Sequence, residues 1–135
     1  YLHFSNWVVG HAHMALLATF TFIVFAAIYY IIPKVTGRKI YSKRMAVWHF
    51  WLSLYGVAIM MIILTCAGLI QAAGWHFAIP VDQWSIEMYP YMFIRFLSGV
   101  MIVLGQIIFI YNIYMTVFSR DAEPAPDSPT GIAFV

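Results

Sequence analysis

Charged residues are scarce in this chain: of its 135 residues only 9% are Asp, Glu, Lys or Arg, whereas 64% are hydrophobic and 19% are aromatic. A soluble domain of this size needs far more polar surface, so the composition excludes an ordinary soluble protein. The single cysteine, Cys66, lies within an apolar run. One cysteine excludes both a disulfide framework and a Cys-x-x-Cys metal motif.

Three apolar runs are long enough to cross a bilayer, which takes about 20 residues. The sequence therefore predicts an all-α, multi-pass membrane protein with spans over about 7–32, 45–73 and 89–118. Pro33 and Gly37 are predicted to end the first span. Pro90 lies in the first turn of the third, where a missing N–H does no harm. The remaining segment, 119–135, is rich in proline and polar residues and is predicted to be a disordered tail.

Basic residues are concentrated between the first two spans. This connection holds five of the seven lysines and arginines, namely Lys34, Arg38, Lys39, Lys43 and Arg44, whereas the connection over 75–90 holds none. By the positive-inside rule, the first connection and the C-terminus are cytoplasmic and the N-terminus is outside. A basic loop can also bind nucleic acid, but between two spans membrane topology and anionic lipid explain it better. We therefore expect lipid contacts and no nucleic-acid partner.

Two histidines lie close together in the otherwise apolar stretch VVGHAHMALL. Because a helix turns about 100° per residue, His11 and His13 point to nearly opposite sides. Two ligands from one helix to a single metal need a spacing of three or four residues, so this pair offers one ligand to each of two centres. Haem is the usual histidine-ligated cofactor in apolar surroundings. The alternative is a structural pair that hydrogen-bonds neighbouring helices.

The stretch WVVGHAHMAL resembles the helix that carries both haem ligands in the catalytic subunit (subunit I) of haem-copper oxidases. The stretches IYSKRMAVWHFWL, AGLIQ, YPYMFIRFLSG and IYNIYMTV are similar to the C-type, or cbb-type, cytochrome c oxidases. The resemblance covers about residues 3–118. It departs from that branch at Met14–Ala18, which is closer to the nitric oxide reductases that share the scaffold. We therefore expect the three spans to be the C-terminal part of a larger helical bundle, from a fragment or a split subunit.

The resemblance implies that His11 is the proximal ligand of the high-spin haem at the active site and that His13 ligates the low-spin haem b. It implies a second b-type haem at the high-spin position and a copper whose ligands lie outside this segment. The activity implied is that of a respiratory terminal oxidase in the bacterial inner membrane. It reduces dioxygen to water with electrons from cytochrome c and is coupled to proton translocation. The partners implied are the rest of the catalytic subunit and c-type cytochrome subunits.

Two other polar side chains lie within the predicted spans. Arg95 either pairs with a carboxylate, such as a haem propionate, or reaches the outer surface or another subunit. His49, near the inner end of the second span, is predicted to pack or hydrogen-bond rather than to ligate a metal.

Three alternatives to the oxidase remain open. The first is a nitric oxide reductase, with iron in place of copper. The second is a non-catalytic membrane anchor that relays electrons through haem b, and the third is a structural helical hairpin. Metal content separates oxidase from reductase, and a high-spin haem that binds carbon monoxide excludes the other two.

Overall fold

The computed structural model describes residues 2–119, and over this range every regular element is a helix. Three of these helices are long and apolar enough to cross a membrane. They are called here the first span (Asn6–Thr36), the second span (Lys43–His76) and the third span (Tyr89–Phe118). The predicted fold class is therefore confirmed. A short helix that the sequence did not predict, Val81–Glu87, precedes the third span. The tail predicted over 119–135 lies, after its first residue, outside the described residues.

The first span is continuous but not uniform. It begins as an α-helix over Asn6–His13, becomes a π-helix over Met14–Phe20, and returns to an α-helix over Thr21–Thr36. In the π segment backbone hydrogen bonds reach five residues back instead of four, so the turns are wider. The hydroxyl of Thr21 follows the same spacing and donates to the carbonyl of Leu16 at 3.1 Å. The wide turns begin immediately after His13.

The prediction that Pro33 ends the first span is wrong. The helix continues through this residue and ends at Gly37, whose φ of 65° lies in the left-handed region that glycine adopts without strain. Proline removes one N–H donor, but its carbonyl still accepts from the N–H groups of Gly37 and Arg38. The helix therefore loses one hydrogen bond near its end and keeps its last turn.

The second span lies between the other two. In its most apolar window 39% of the residues are buried, against 11% for the third span and none for the first. Small residues bring it close to the third span: a methyl group on Gly56 would lie 2.6 Å from Ile102, and one on Gly105 would lie 2.9 Å from the hydroxyl of Ser53. Close packing of small residues is a usual way for membrane helices to associate.

The third span also fixes the connection between the first two. Asn112 and Thr116 are fully buried and one helical turn apart. The amide of Asn112 accepts from the N–H of Ser42 at 3.0 Å and donates to the carbonyl of the same residue at 3.1 Å. Thr116 accepts from the N–H of Tyr41, and Arg38 donates to the carbonyls of Val117 and Ser119 at the end of the third span. These bonds satisfy backbone groups at the edge of an apolar bundle.

Candidate functional site

Gly10 marks the line along which the first span packs against the second. It is buried, and a methyl group added to it would lie 3.1 Å from Cβ of Leu64. From Gly10, a rotation of about 100° per residue puts His11 on one flank of this line and His13 on the other. The structure keeps all three residues in regular α-helix, so the opposite directions predicted for the two rings hold. His11 is exposed and His13 is partly exposed in the isolated chain.

The His13 flank is the side on which the third span lies. Leu17, four residues after His13, belongs to the same side of the helix. It lines a cavity of about 300 Å³ together with Thr21 and with Ile102 and Gln106 of the third span. His11 therefore projects on the side away from the third span, so the two histidines have separate surroundings.

The ring of His13 is oriented by its own helix. Its Nδ1 lies 2.7 Å from the carbonyl oxygen of Val9, and because a carbonyl can only accept, Nδ1 is the protonated nitrogen. In the neutral ring, Nε2 then carries the free lone pair. Histidines that ligate metals usually make this bond, since it fixes both the tautomer and the ring direction. The donor set of His13 thus fits an axial ligand of haem iron.

The ring of His11 is oriented differently, by stacking on Trp7. The two rings are 5.3 Å apart between centroids and nearly parallel, at an interplanar angle of 4°. Stacking occupies a face of the imidazole and leaves its nitrogens available. The site of His11 therefore also fits an axial ligand.

A second metal centre of the copper type is not formed within this part of the chain. Among residues 2–119 no group of three His, Cys, Asp or Glu side chains comes close enough to hold a metal ion. Arg95 is exposed, and its guanidinium lies 3.9 Å from the sulfur of Met92. The choice between a propionate and a surface partner for Arg95 stays a prediction.

His49 takes the packing role that the sequence favoured. It is 2% exposed, its Nδ1 lies 3.2 Å from the hydroxyl of Tyr29, and its ring stacks on Phe109 at 4.7 Å between centroids. Phe25 meets the same ring edge-on at 4.6 Å. From the second span, His49 thus contacts side chains of both the first and the third span. It lies far along the bundle from His11 and His13.

Sequence reasoning missed three features of the site: the π segment after His13, the Trp7 stack and a bond from the N–H of Asn6 to the side-chain oxygen of Gln71 at 2.7 Å. The four-residue spacing between Trp7 and His11 is a signal that could have identified the stack. The bond to Gln71 links residues 65 positions apart and has no local signal.

Two histidines on opposite flanks of one membrane helix can each ligate a separate haem. Comparison with known proteins identifies the family of the chain. The family profile described as Cytochrome C and Quinol oxidase polypeptide I matches residues 1–101. The chain therefore belongs to this family, the subunit I family of haem-copper oxidases, whose members generally carry haem and copper.

Three relatives show the range of the family around this chain. A "Cytochrome c oxidase subunit 1 homolog" from Agrobacterium tumefaciens (strain T37) is 34% identical over 129 residues, covering 90% of this chain and 24% of the relative. The cbb3-type cytochrome c oxidase subunit CcoN1 of Stutzerimonas stutzeri is 29% identical, covering 91% of this chain and 27% of the relative. A nitric oxide reductase chain of the same organism is 27% identical, with coverage of 83% and 26%. The chain thus spans about a quarter of the length of these relatives.

Proposed function

We propose that this chain supplies the proximal part of the catalytic centre of a C-type terminal oxidase. The enzyme reduces dioxygen to water with electrons from cytochrome c and couples the reaction to proton translocation. The observation that carries the proposal is the arrangement of His11 and His13 on opposite flanks of one helix, with Nε2 of His13 left free by the bond to Val9. On this proposal His11 holds the high-spin haem, which is the active-site haem, and His13 holds the low-spin haem. Both haems are b-type.

Haem supplies the redox chemistry when it is bound, and the protein sets its ligation, burial and spacing. The contribution of this chain is to hold two ligands on one rigid element. Val9 fixes the tautomer of His13, and the packing of Gly10 against Leu64 fixes the helix between the two flanks. The rest of the catalytic subunit would supply the copper ligands and the other ligand of the low-spin haem.

The proposed setting is the inner membrane of a bacterium, with the N-terminus of the first span outside and the end of the third span in the cytoplasm. The basic connection supports this orientation because Lys34, Arg38, Lys39, Lys43 and Arg44 then face the cytoplasm. Both histidines then lie toward the outer face, where c-type cytochrome subunits would deliver electrons. The proposed partners also include lipid and the remaining helices of the subunit.

A nitric oxide reductase is the second candidate. The similarity to the nitric oxide reductase chain of Stutzerimonas stutzeri and the residues Met14–Ala18 support it. Both candidates use the same two histidines, so the geometry of the first span does not choose between them. A non-catalytic haem-b relay is the third candidate, since it would also need axial histidines.

Metal analysis of the purified complex tests whether the enzyme reduces dioxygen or nitric oxide. The oxidase predicts copper in an amount equal to the high-spin haem, together with a high-spin haem that binds carbon monoxide. Non-haem iron in place of copper would overturn the oxidase in favour of the reductase. A complex in which no haem binds carbon monoxide would overturn both enzymes and leave the relay.

A further inference from the structure

Trp7 and His11 form a stacked pair at the outer end of the first span. They are four residues apart in one α-helix and therefore lie on the same side. Their rings are 5.3 Å apart between centroids with an interplanar angle of only 4°. A nearly parallel stack restricts the plane of the smaller ring while leaving its nitrogens free.

The second span holds the backbone of Trp7 in place. A methyl group on Gly68 would fall directly on the backbone nitrogen and Cα of Trp7, so only glycine allows this approach. One residue earlier, the N–H of Asn6 donates to the side-chain oxygen of Gln71 at 2.7 Å. The N–H of Trp7 itself donates to the hydroxyl of Ser5 at 3.2 Å. The backbone that carries the indole is therefore held by Gly68 and Gln71 of the second span and by Ser5 just before it in the chain.

The two histidines are thus oriented by different means. His13 is held through a hydrogen bond from Nδ1 to Val9, which depends only on its own helix. The orientation of His11 depends on Trp7, and Trp7 depends on Gly68 and Gln71 of the second span. A disturbance of this contact should therefore affect one ligand and leave the other unchanged.

We propose that Trp7 is a positioning residue that sets the ring plane of His11, and that Gly68 and Gln71 set the position of Trp7. The inference rests on the proposed role of His11 as an axial ligand. Groups behind a metal ligand orient it and tune the metal bond, and small errors in ligand direction weaken a site. Trp7 would do this by stacking, without a hydrogen bond to the ligand.

The test compares Trp7→Phe, Trp7→Leu and Trp7→Met in the assembled complex in membranes. Resonance Raman spectroscopy of the reduced complex measures the iron–histidine stretching band of the high-spin haem, and the optical spectrum measures the low-spin haem. Trp7→Phe keeps an aromatic ring that can stack and should leave the band unchanged. Trp7→Leu and Trp7→Met should shift and broaden the band, with an unchanged low-spin spectrum.

A second arm uses glycine. Gly68→Ala should shift the same band because the added methyl group displaces Trp7. Gly99→Ala is the matched control, since a methyl group there meets nothing within 4 Å. The control should leave the band unchanged.

An unmoved band in Trp7→Leu and Trp7→Met would overturn the inference while leaving the proposed function intact. If both aliphatic variants lose the two haems together, Trp7 serves packing alone, and the inference is wrong. A wild-type complex without an iron–histidine band from a high-spin haem would instead overturn the proposed function itself.

Discussion

Asn112 illustrates how a polar side chain is accommodated inside an apolar bundle. In lipid every polar group needs a partner, because no water is present to supply one. The side-chain amide of Asn112 is buried. Its oxygen accepts from the N–H of Ser42 and its nitrogen donates to the carbonyl of Ser42, at the point where the connection enters the second span. One side chain thus satisfies the N–H of Ser42 and adds a second donor to its carbonyl, which also accepts from the N–H of Ala46.

Replacing Asn112 with leucine should destabilise the chain. The substitution leaves the partly buried N–H of Ser42 without its partner, at a cost of about 1–3 kcal/mol, whereas the carbonyl of Ser42 keeps its bond from the N–H of Ala46. Thermal unfolding of the detergent-solubilised complex measures the effect as a lower midpoint. Ile110→Leu is the control, because Ile110 is 65% exposed and makes no such contact. Equal midpoints for the two variants would show that the bonds to Ser42 contribute nothing.

The directions of His11 and His13 could be predicted because helix rotation alone sets them. The orientation of each ring could not be predicted, because it depends on contacts that helix rotation does not determine. The bond from His13 to Val9 is local, but which ring nitrogen makes it depends on the rotamer. The contact between Gly68 and Trp7 joins two spans at a register that no pattern in the sequence indicates.

At the scale of elements, two glycines on different helices differ in what surrounds them. Gly56 of the second span faces Ile102 and the carbonyl of Ser98 of the third span, at distances that leave no room for a methyl group. Gly99 of the third span has open space around the same position. Close helix packing therefore depends on the first glycine and not on the second.

Gly56→Ala should push the second and third spans apart. Overpacking of this kind costs about 1–3 kcal/mol. Gly99→Ala should be neutral or stabilising by up to about 1 kcal/mol, since alanine favours helix. The thermal midpoint of the assembled complex measures both. A Gly56→Ala variant as stable as Gly99→Ala would contradict the packing described for these helices.

The existence of the three spans could be predicted, because long apolar runs have few alternatives to a membrane helix. Their ends and internal irregularities were harder to predict. The first span continues past Pro33, whose carbonyl still accepts from the N–H groups of Gly37 and Arg38. The π segment over Met14–Phe20 has no composition that distinguishes it from an α-helix. The helix Val81–Glu87 is too short for a periodic pattern to identify.

The whole molecule leaves much apolar surface uncovered. Large hydrophobic side chains are exposed along the outer faces of the first and third spans. The relatives are about four times longer than the part matched here, as the coverage of 24% for the Agrobacterium protein shows. Lipid and the remaining helices of a larger bundle would cover such faces, in line with the proposed partners.

Orientation in the membrane is a prediction for the whole molecule. In a Cys66→Ala background, a membrane-impermeant thiol reagent should label Gln83→Cys in intact cells. It should label Lys43→Cys only after the membrane is opened, because the basic connection is expected to face the cytoplasm. Both positions are exposed. Labelling of Lys43→Cys in intact cells would reverse the orientation and move both histidines toward the inner face.

The central claim is that His11 and His13 serve two different haems, and optical and carbon monoxide difference spectra of His11→Ala and His13→Ala test it most directly. In complexes that accumulate in membranes, His11→Ala should lose carbon monoxide binding and keep most of the low-spin signal. His13→Ala should lose the low-spin signal and keep carbon monoxide binding. Identical spectra from the two variants, whether both lose the same haem or neither loses any, would contradict the claim.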